Sequence, residues 1–155
     1  MRPELDKKLV EAFPNLYRDR YADMKNTAMC WGFECDDGWF DIIWRMSEKL
    51  ETLILEKSDT ELNFDAQSFY GCKTERELYR ASQIKEKYGA LICYMAHSSE
   101  AMEEIIDAAE KESEKTCESC GAPACLMHYA YWYKTVCEKC NLEDFNGDYE
   151  VAPTL

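Results

Sequence analysis

The chain has 155 residues, a net charge of −13, 46% apolar residues and 13% aromatic residues. That apolar content is enough to bury a core, so the charge does not imply disorder. The acidity works against nucleic-acid binding unless basic residues gather on one face, and the lack of any run of about 18 apolar residues excludes a transmembrane helix.

Residues 3–13 read as a helix, with Pro3 suited to a first helical position and Leu5, Leu9, Val10 and Phe13 on one stripe. The first six residues turn polar at once and hold no apolar signal core, so a cytoplasmic location is expected. Phe13-Pro14-Asn15 ends the helix. Residues 15–35 are irregular, and their Tyr, Met and Trp content places them against the core rather than in solvent. The clearest helix opens next: Asp36 or Asp37 can cap it, and Gly38 lets the chain turn. Trp39, Ile42, Ile43, Met46, Leu50, Leu53 and Ile54 then recur at helical spacing, to about Lys57.

Residues 58–73 read as a loop with a short strand over 62–64. Thr74 followed by Glu77 is a capping-box pattern for a short helix through Leu78 and Tyr79. The stretch up to Met95 admits two readings. One is a hairpin, 84–88 and 91–95, turning at Gly89; the other is a single helix over 75–88 with Gly89 as its C-cap. Ser98 or Ser99 caps the next helix, whose buried stripe is Met102, Ile105, Ile106 and Ala109. Its other face is acidic: Glu103, Glu104, Asp107, Glu110, Glu112 and Glu114. This helix leads straight into Cys117, which implies a docked rather than a tethered C-terminal part. The expected fold is α+β. A mainly helical domain with a β-hairpin covers 1–115, a zinc ribbon covers 116–141, and a frayed acidic tail covers 142–155.

The strongest chemical signal is a pair of Cys-x-x-Cys motifs. Cys117 and Cys120 precede Gly121, Cys137 and Cys140 come later, and sixteen residues separate the pairs. Two thiolates spaced in this way sit on one tight turn, and two such knuckles complete a tetrahedron around one zinc ion. Gly121 supplies backbone freedom at the first turn. Four thiolates close the coordination sphere, so the zinc is structural, with an iron–sulfur centre as the lesser alternative. Cys125 and His128 stand between the knuckles, either as spectators or as replacements for a ligand. A disulfide framework is unexpected without a secretory signal, and Cys30, Cys35, Cys72, Cys93 and Cys125 then read as small buried hydrophobes. Tyr129, Tyr131, Trp132 and Tyr133 line the strand before the second knuckle, and are expected to bury the small sheet against the neighbouring domain.

Catalytic signals are sparse. No phosphate-binding glycine loop is present, and the two histidines, His97 and His128, lie in no recognisable motif. Asp36 and Asp37 beside Trp39 could form a carboxylate pair, but a helix N-terminus favours acidic side chains in any case. Arg2, Arg18, Arg20 and Lys25 are the basic residues that could gather near the N-terminus, a sparse set for nucleic acid.

Three segments taken together have a further meaning: Gly32-Phe33-Glu34-Cys35-Asp36-Asp37-Gly38-Trp39, Lys85-Glu86-Lys87-Tyr88-Gly89-Ala90-Leu91, and the terminal Cys-x-x-Cys-Gly with Trp132, Lys134 and Thr135 before the second knuckle. In this order the chain resembles small bacteriophage and prophage proteins that end in a zinc ribbon. It departs from them at Ile92, where an Arg is usual, and at Cys125, Leu126 and Met127, where basic residues are usual. The resemblance implies a phage protein acting in the host cytoplasm. With the acidity, it leads to an expected role as a non-enzymatic binder that modulates or inhibits a host protein with a basic surface, for instance a nucleic-acid-processing defence enzyme. Glu103, Asp107, Glu110 and Glu114 are the candidate contact residues. The alternative is a zinc-ribbon protein that binds nucleic acid in transcription or DNA metabolism.

Overall fold

The computed structural model describes residues 1–61 and 72–153. The short strand expected over 62–64 lies outside the described residues. The architecture is mixed α+β, with helices around one three-stranded sheet and a second three-stranded sheet near the C-terminus.

Helix α1 is Pro3–Ala12, with Pro3 in its first turn as the sequence implies. Strand β1, Phe33–Glu34, was not anticipated in the irregular stretch. Two residues are too few to show alternation, so no period could reveal it. The start of this stretch, residues 15–17, is held by buried or partly buried polar bonds. Glu51 accepts from the backbone N–H of Asn15 at 3.1 Å and of Leu16 at 2.8 Å, and the Tyr17 hydroxyl shares a hydrogen bond with Ser47 at 2.5 Å. Leu16, Tyr17, Met29 and Phe33 are buried as expected, whereas Tyr21, Met24 and Trp31 face solvent.

Helix α2 is Phe40–Leu55, entered through a 3₁₀ turn at Asp37–Trp39. Neither aspartate caps it through a side chain. Asp37 instead accepts from the Arg2 backbone N–H at 2.7 Å and pairs with the Arg2 guanidinium, while Asp36 pairs with Lys134 at 3.0 Å. Both carboxylates are therefore spent on fixing other segments, which leaves no free acid–base pair. The periodic stripe is buried as predicted except for Leu53, which is half-buried, and Trp39, Ile43, Leu50 and Ile54 are fully enclosed.

Thr74 caps the short helix α3, Glu75–Leu78, by accepting from the Glu77 N–H at 3.3 Å. The Glu77 carboxylate bonds the Lys73 N–H rather than that of Thr74, so half of the capping box forms. The next segment is the hairpin, not the helix: β2, Ala81–Lys87, pairs antiparallel with β3, Ala90–Met95. Tyr88 and Gly89 form its tip with φ of 53° and 80°. Two successive positive φ angles match the right-handed twist of the strands and select this tight connection. β1 joins the other edge of β2 in parallel.

Helix α4, Glu100–Ser113, packs on β3 and on α2, and buries Met102, Ile106 and Ala109 while Ile105 is half-buried. Beyond it, β4, Cys125–Tyr129, pairs with β5, Trp132–Val136, and with β6, Glu150–Val151. Helix α5 is Glu138–Phe145. The expected frayed tail is thus corrected. Asn141 bonds Tyr149 through both ends of its side-chain amide, and this clasp returns the chain so that β6 can add to β4. Polar composition suggested a tail because two short elements held by one asparagine leave no periodic signal. No helix among the described residues is long and apolar enough to cross a membrane.

Candidate metal centre

The cysteine cluster is built from two turns. In the first, the Gly121 N–H bonds the Cys117 carbonyl at 2.8 Å, and the Cys117 N–H bonds the Ala122 carbonyl at 2.7 Å. This closed loop needs the left-handed backbone of Gly121, φ 79°. In the second, Cys137 is the N-cap of α5, and its sulfur accepts from the Cys140 N–H at 3.4 Å. The sulfurs of Cys117, Cys120, Cys137 and Cys140 all lie within 4.8 Å of one another. Four sulfurs placed about 2.3 Å from a central ion form a tetrahedron with edges of about 3.8 Å. The Cys120–Cys137 separation is 3.7 Å, so the residues fit one tetrahedral metal ion.

The electrostatics point the same way. Burial and then neighbouring sulfurs push the Cys140 thiol well up, and burial raises Cys117, whereas the Cys140 N–H draws Cys137 down to about 7. Crowded thiols resist sharing negative charge, and a cation at their centre removes that resistance. Cys125 and His128 stand outside the cluster, so neither replaces a ligand.

The C-terminal unit is docked, and the three segments singled out in the sequence meet at its seam. Gly38 donates to the Glu118 carbonyl at 2.7 Å, and Trp39 Nε1 donates to the Thr116 carbonyl at 2.7 Å. A Cβ on Gly38 would lie 2.2 Å from the Cys117 carbonyl oxygen, so no side chain fits there. Thr135 donates its hydroxyl to the Gly89 carbonyl at 2.6 Å. The buried Glu118 carboxylate accepts from the Asp36 N–H at 3.0 Å and pairs with Lys134. Burial pushes Glu118 up, and Lys134 opposes that shift. The sequence patterns around Gly38, Gly89 and Lys134 thus have a structural explanation, since they build one contact between the two sheets.

All nine cysteines are free of disulfides. Cys35, Cys72 and Cys93 are buried as expected, Cys30 is half-buried, and Cys125 is exposed, contrary to its reading as a buried hydrophobe. Cys125 shares a face with the buried Met127 but is the first residue of β4, at the end of the strand. Burial pushes the Cys35 and Cys93 thiols up to about 12. Alkylation of the native metal-loaded protein is therefore expected to label Cys125 first and to spare Cys35 and Cys93. Adding a chelator should expose the four cluster cysteines, which mass spectrometry would register as new adducts. Labelling of the cluster at the same rate with and without chelator would exclude metal ligation.

Tyr131 is 95% exposed and Trp132 73%, and Tyr129 and Tyr133 are also exposed. This overturns the expectation that the aromatics bury the sheet. The contact with the first domain is made instead by Gly89, Leu126 and Thr135. Of the candidate contact residues, Glu103, Asp107 and Glu114 are exposed and Glu110 is half-buried, all along α4 and its end. Three of the candidate basic residues are neutralised by acidic partners, Arg2 by Asp37, Arg18 by Glu77 and Arg20 by Asp6, and Lys25 lines a cavity with Asp19 and Arg80. His97 packs on Tyr79 and His128 on Tyr133, and among the described residues neither hydrogen-bonds a cysteine. Comparison with family models, curated proteins and solved structures finds no match.

Proposed function

We propose that the four cysteines hold one structural zinc in a C-terminal zinc ribbon, and that the acidic face of α4 binds a host protein with a basic surface. In this reading the chain is a phage-type modulator or inhibitor acting in the host cytoplasm, and a nucleic-acid-processing defence enzyme is the kind of target it fits. The phage setting rests on the resemblance of the three seam segments. The metal has no role in chemistry, because four thiolates leave no position for water or substrate.

The observation that carries the reading is the unneutralised face of α4. Among the described residues its one ion pair is Arg45–Glu112, and Glu103, Asp107 and Glu114 project into solvent without a basic partner. Such a face steers a basic partner and raises its rate of encounter. The alternative, nucleic-acid binding, draws on the exposed aromatics at the β4–β5 tip, which could stack on bases.

Affinity capture from host lysate identifies the partner, and a charge-reversed variant tests the face. Reversal of the three exposed residues Glu103, Asp107 and Glu114 to Lys is expected to weaken binding to the captured protein by at least about tenfold and to flatten its salt dependence. Zinc content and folding should be unchanged, because exposed positions contribute little stability. A nucleic-acid binder would do the opposite and bind DNA or RNA more tightly after reversal. Gel shifts of both proteins at two salt concentrations separate the outcomes; tight binding of the wild type to nucleic acid alone would overturn the reading.

A further inference from the structure

The four cluster cysteines are not equally shielded. Cys117 and Cys140 are buried, Cys137 is half-buried and Cys120 is exposed. Cys120 also lines a surface cavity of about 440 Å³ with Arg2, Asp41 and Ser119, so a small molecule can reach it. Across the cluster the Cys120 and Cys137 sulfurs lie 3.7 Å apart. These two residues belong to different knuckles, and they form the more exposed edge of the cluster.

The buried side of the cluster is tied to the seam. The Thr116 carbonyl accepts from Trp39 Nε1 and the Glu118 carbonyl accepts from the Gly38 N–H, both at 2.7 Å. Cys117 stands between them and has no exposed surface. A ligand bond at Cys117 therefore fixes the strip of backbone that meets the first domain.

We infer that Cys120 and Cys137 are a peroxide-responsive pair whose oxidation releases the metal and loosens the seam, an inference that rests on the zinc reading above. Zinc ligands are thiolates, the form of cysteine that attacks peroxide. The Cys120 thiolate attacks hydrogen peroxide: an S–O bond forms, the O–O bond breaks and hydroxide leaves. The Cys137 thiolate then attacks the Cys120 sulfur: an S–S bond forms, the S–O bond breaks and a second hydroxide leaves. Each sulfur gives up one electron, and the peroxide accepts both. Cys117 and Cys140 remain, two ligands of four, and cannot keep the ion. Closure within either knuckle would instead draw on a buried sulfur, that of Cys117 or Cys140. Cys125 is exposed but stands outside the cluster, so its oxidation leaves the ion in place.

Treatment of the zinc-loaded full-length protein with hydrogen peroxide tests this, with a chromophoric chelator reporting zinc and mass mapping of unreduced peptides reporting disulfides. Wild type is expected to lose its zinc and to gain a Cys120–Cys137 bond, and dithiothreitol with added zinc should restore the starting state. Cys125→Ser should respond in the same way. Hydrogen exchange at Gly38 and Glu118 should quicken on oxidation and slow again on reduction. Zinc held against excess peroxide, a bond within one knuckle, a bond to Cys125, sulfinic acid at Cys120 without a disulfide, or unchanged exchange at the seam would each overturn the switch. The zinc content before oxidation separates the two readings. Protein that holds no zinc at the start removes the zinc reading and the switch with it; zinc that is present and survives peroxide removes the switch alone.

Discussion

Elemental analysis of the purified protein is expected to return one zinc per chain, and Cys117→Ser or Cys140→Ser to lose both the metal and the fold of the C-terminal unit. The effect is large because so little else holds that unit together. Its buried set is Cys117, Met127, Val136 and Cys140, with Phe145 and Tyr149 partly covered. Half of that buried set belongs to the four-cysteine cluster, so losing an ion held there would remove the centre of the core. Structural zinc supplies on the order of 10 kcal/mol of apparent folding free energy in small zinc modules. The docked seam retains part of the unit's order, so the loss here should fall below that figure, yet it still exceeds what the remaining apolar contacts provide. Hydrogen exchange would show residues 116–153 losing protection while α2 and α4 keep theirs. Cys125→Ser is the control and should keep the zinc. Protons compete for the same four sulfurs, so metal retention should fall as pH falls. Metal-free protein with an unchanged C-terminal unit would remove the metal centre, and iron in place of zinc would change its identity.

The parts of this fold that were legible in the sequence are those with a period or a fixed chemical spacing. The α2 stripe from Trp39 to Ile54 and the α4 stripe from Met102 to Ala109 follow 3.6-residue periodicity, and both are buried apart from the half-buried Leu53 and Ile105. The two Cys-x-x-Cys pairs fix their own geometry through local turns, so their convergence could be read without knowing the fold. What escaped was set by single contacts between distant residues. Strand β1 exists because two residues meet β2, and β6 exists because Asn141 clasps Tyr149. The exposure of Tyr131 and Trp132 depends on which residues of the hairpin meet the first domain, Leu126 and Thr135 rather than its tip, a tertiary matter absent from any local window. Asp36 and Asp37 resembled caps, and composition gave no sign that Lys134 and Arg2 would claim them.

Trp39→Ala is expected to lower the free energy of unfolding by about 3–5 kcal/mol, the range for truncating a fully buried aromatic residue. Trp39 has no exposed surface, and it stands at the entry to α2 where the first sheet's core meets the metal-binding unit. Two losses combine. The indole leaves a cavity that Ile43 and its neighbours cannot fill without moving the helix, and the Thr116 carbonyl loses its donor at 2.7 Å. Trp39→Phe separates them: it keeps most of the ring volume and removes the N–H, so its cost should be nearer 1 kcal/mol if the cavity dominates. Zinc content should stay at one per chain in both variants, because the four sulfurs are placed by their own turns and not by the indole. The seam should loosen nonetheless, with hydrogen exchange at Gly38 and Glu118 accelerating before the cluster opens. Urea denaturation gives the free energies. A loss below about 1 kcal/mol in Trp39→Ala would mean that this residue is not the central packing element between the two sheets, and that the Glu118–Lys134 pair and the Gly38 contact hold the seam without it.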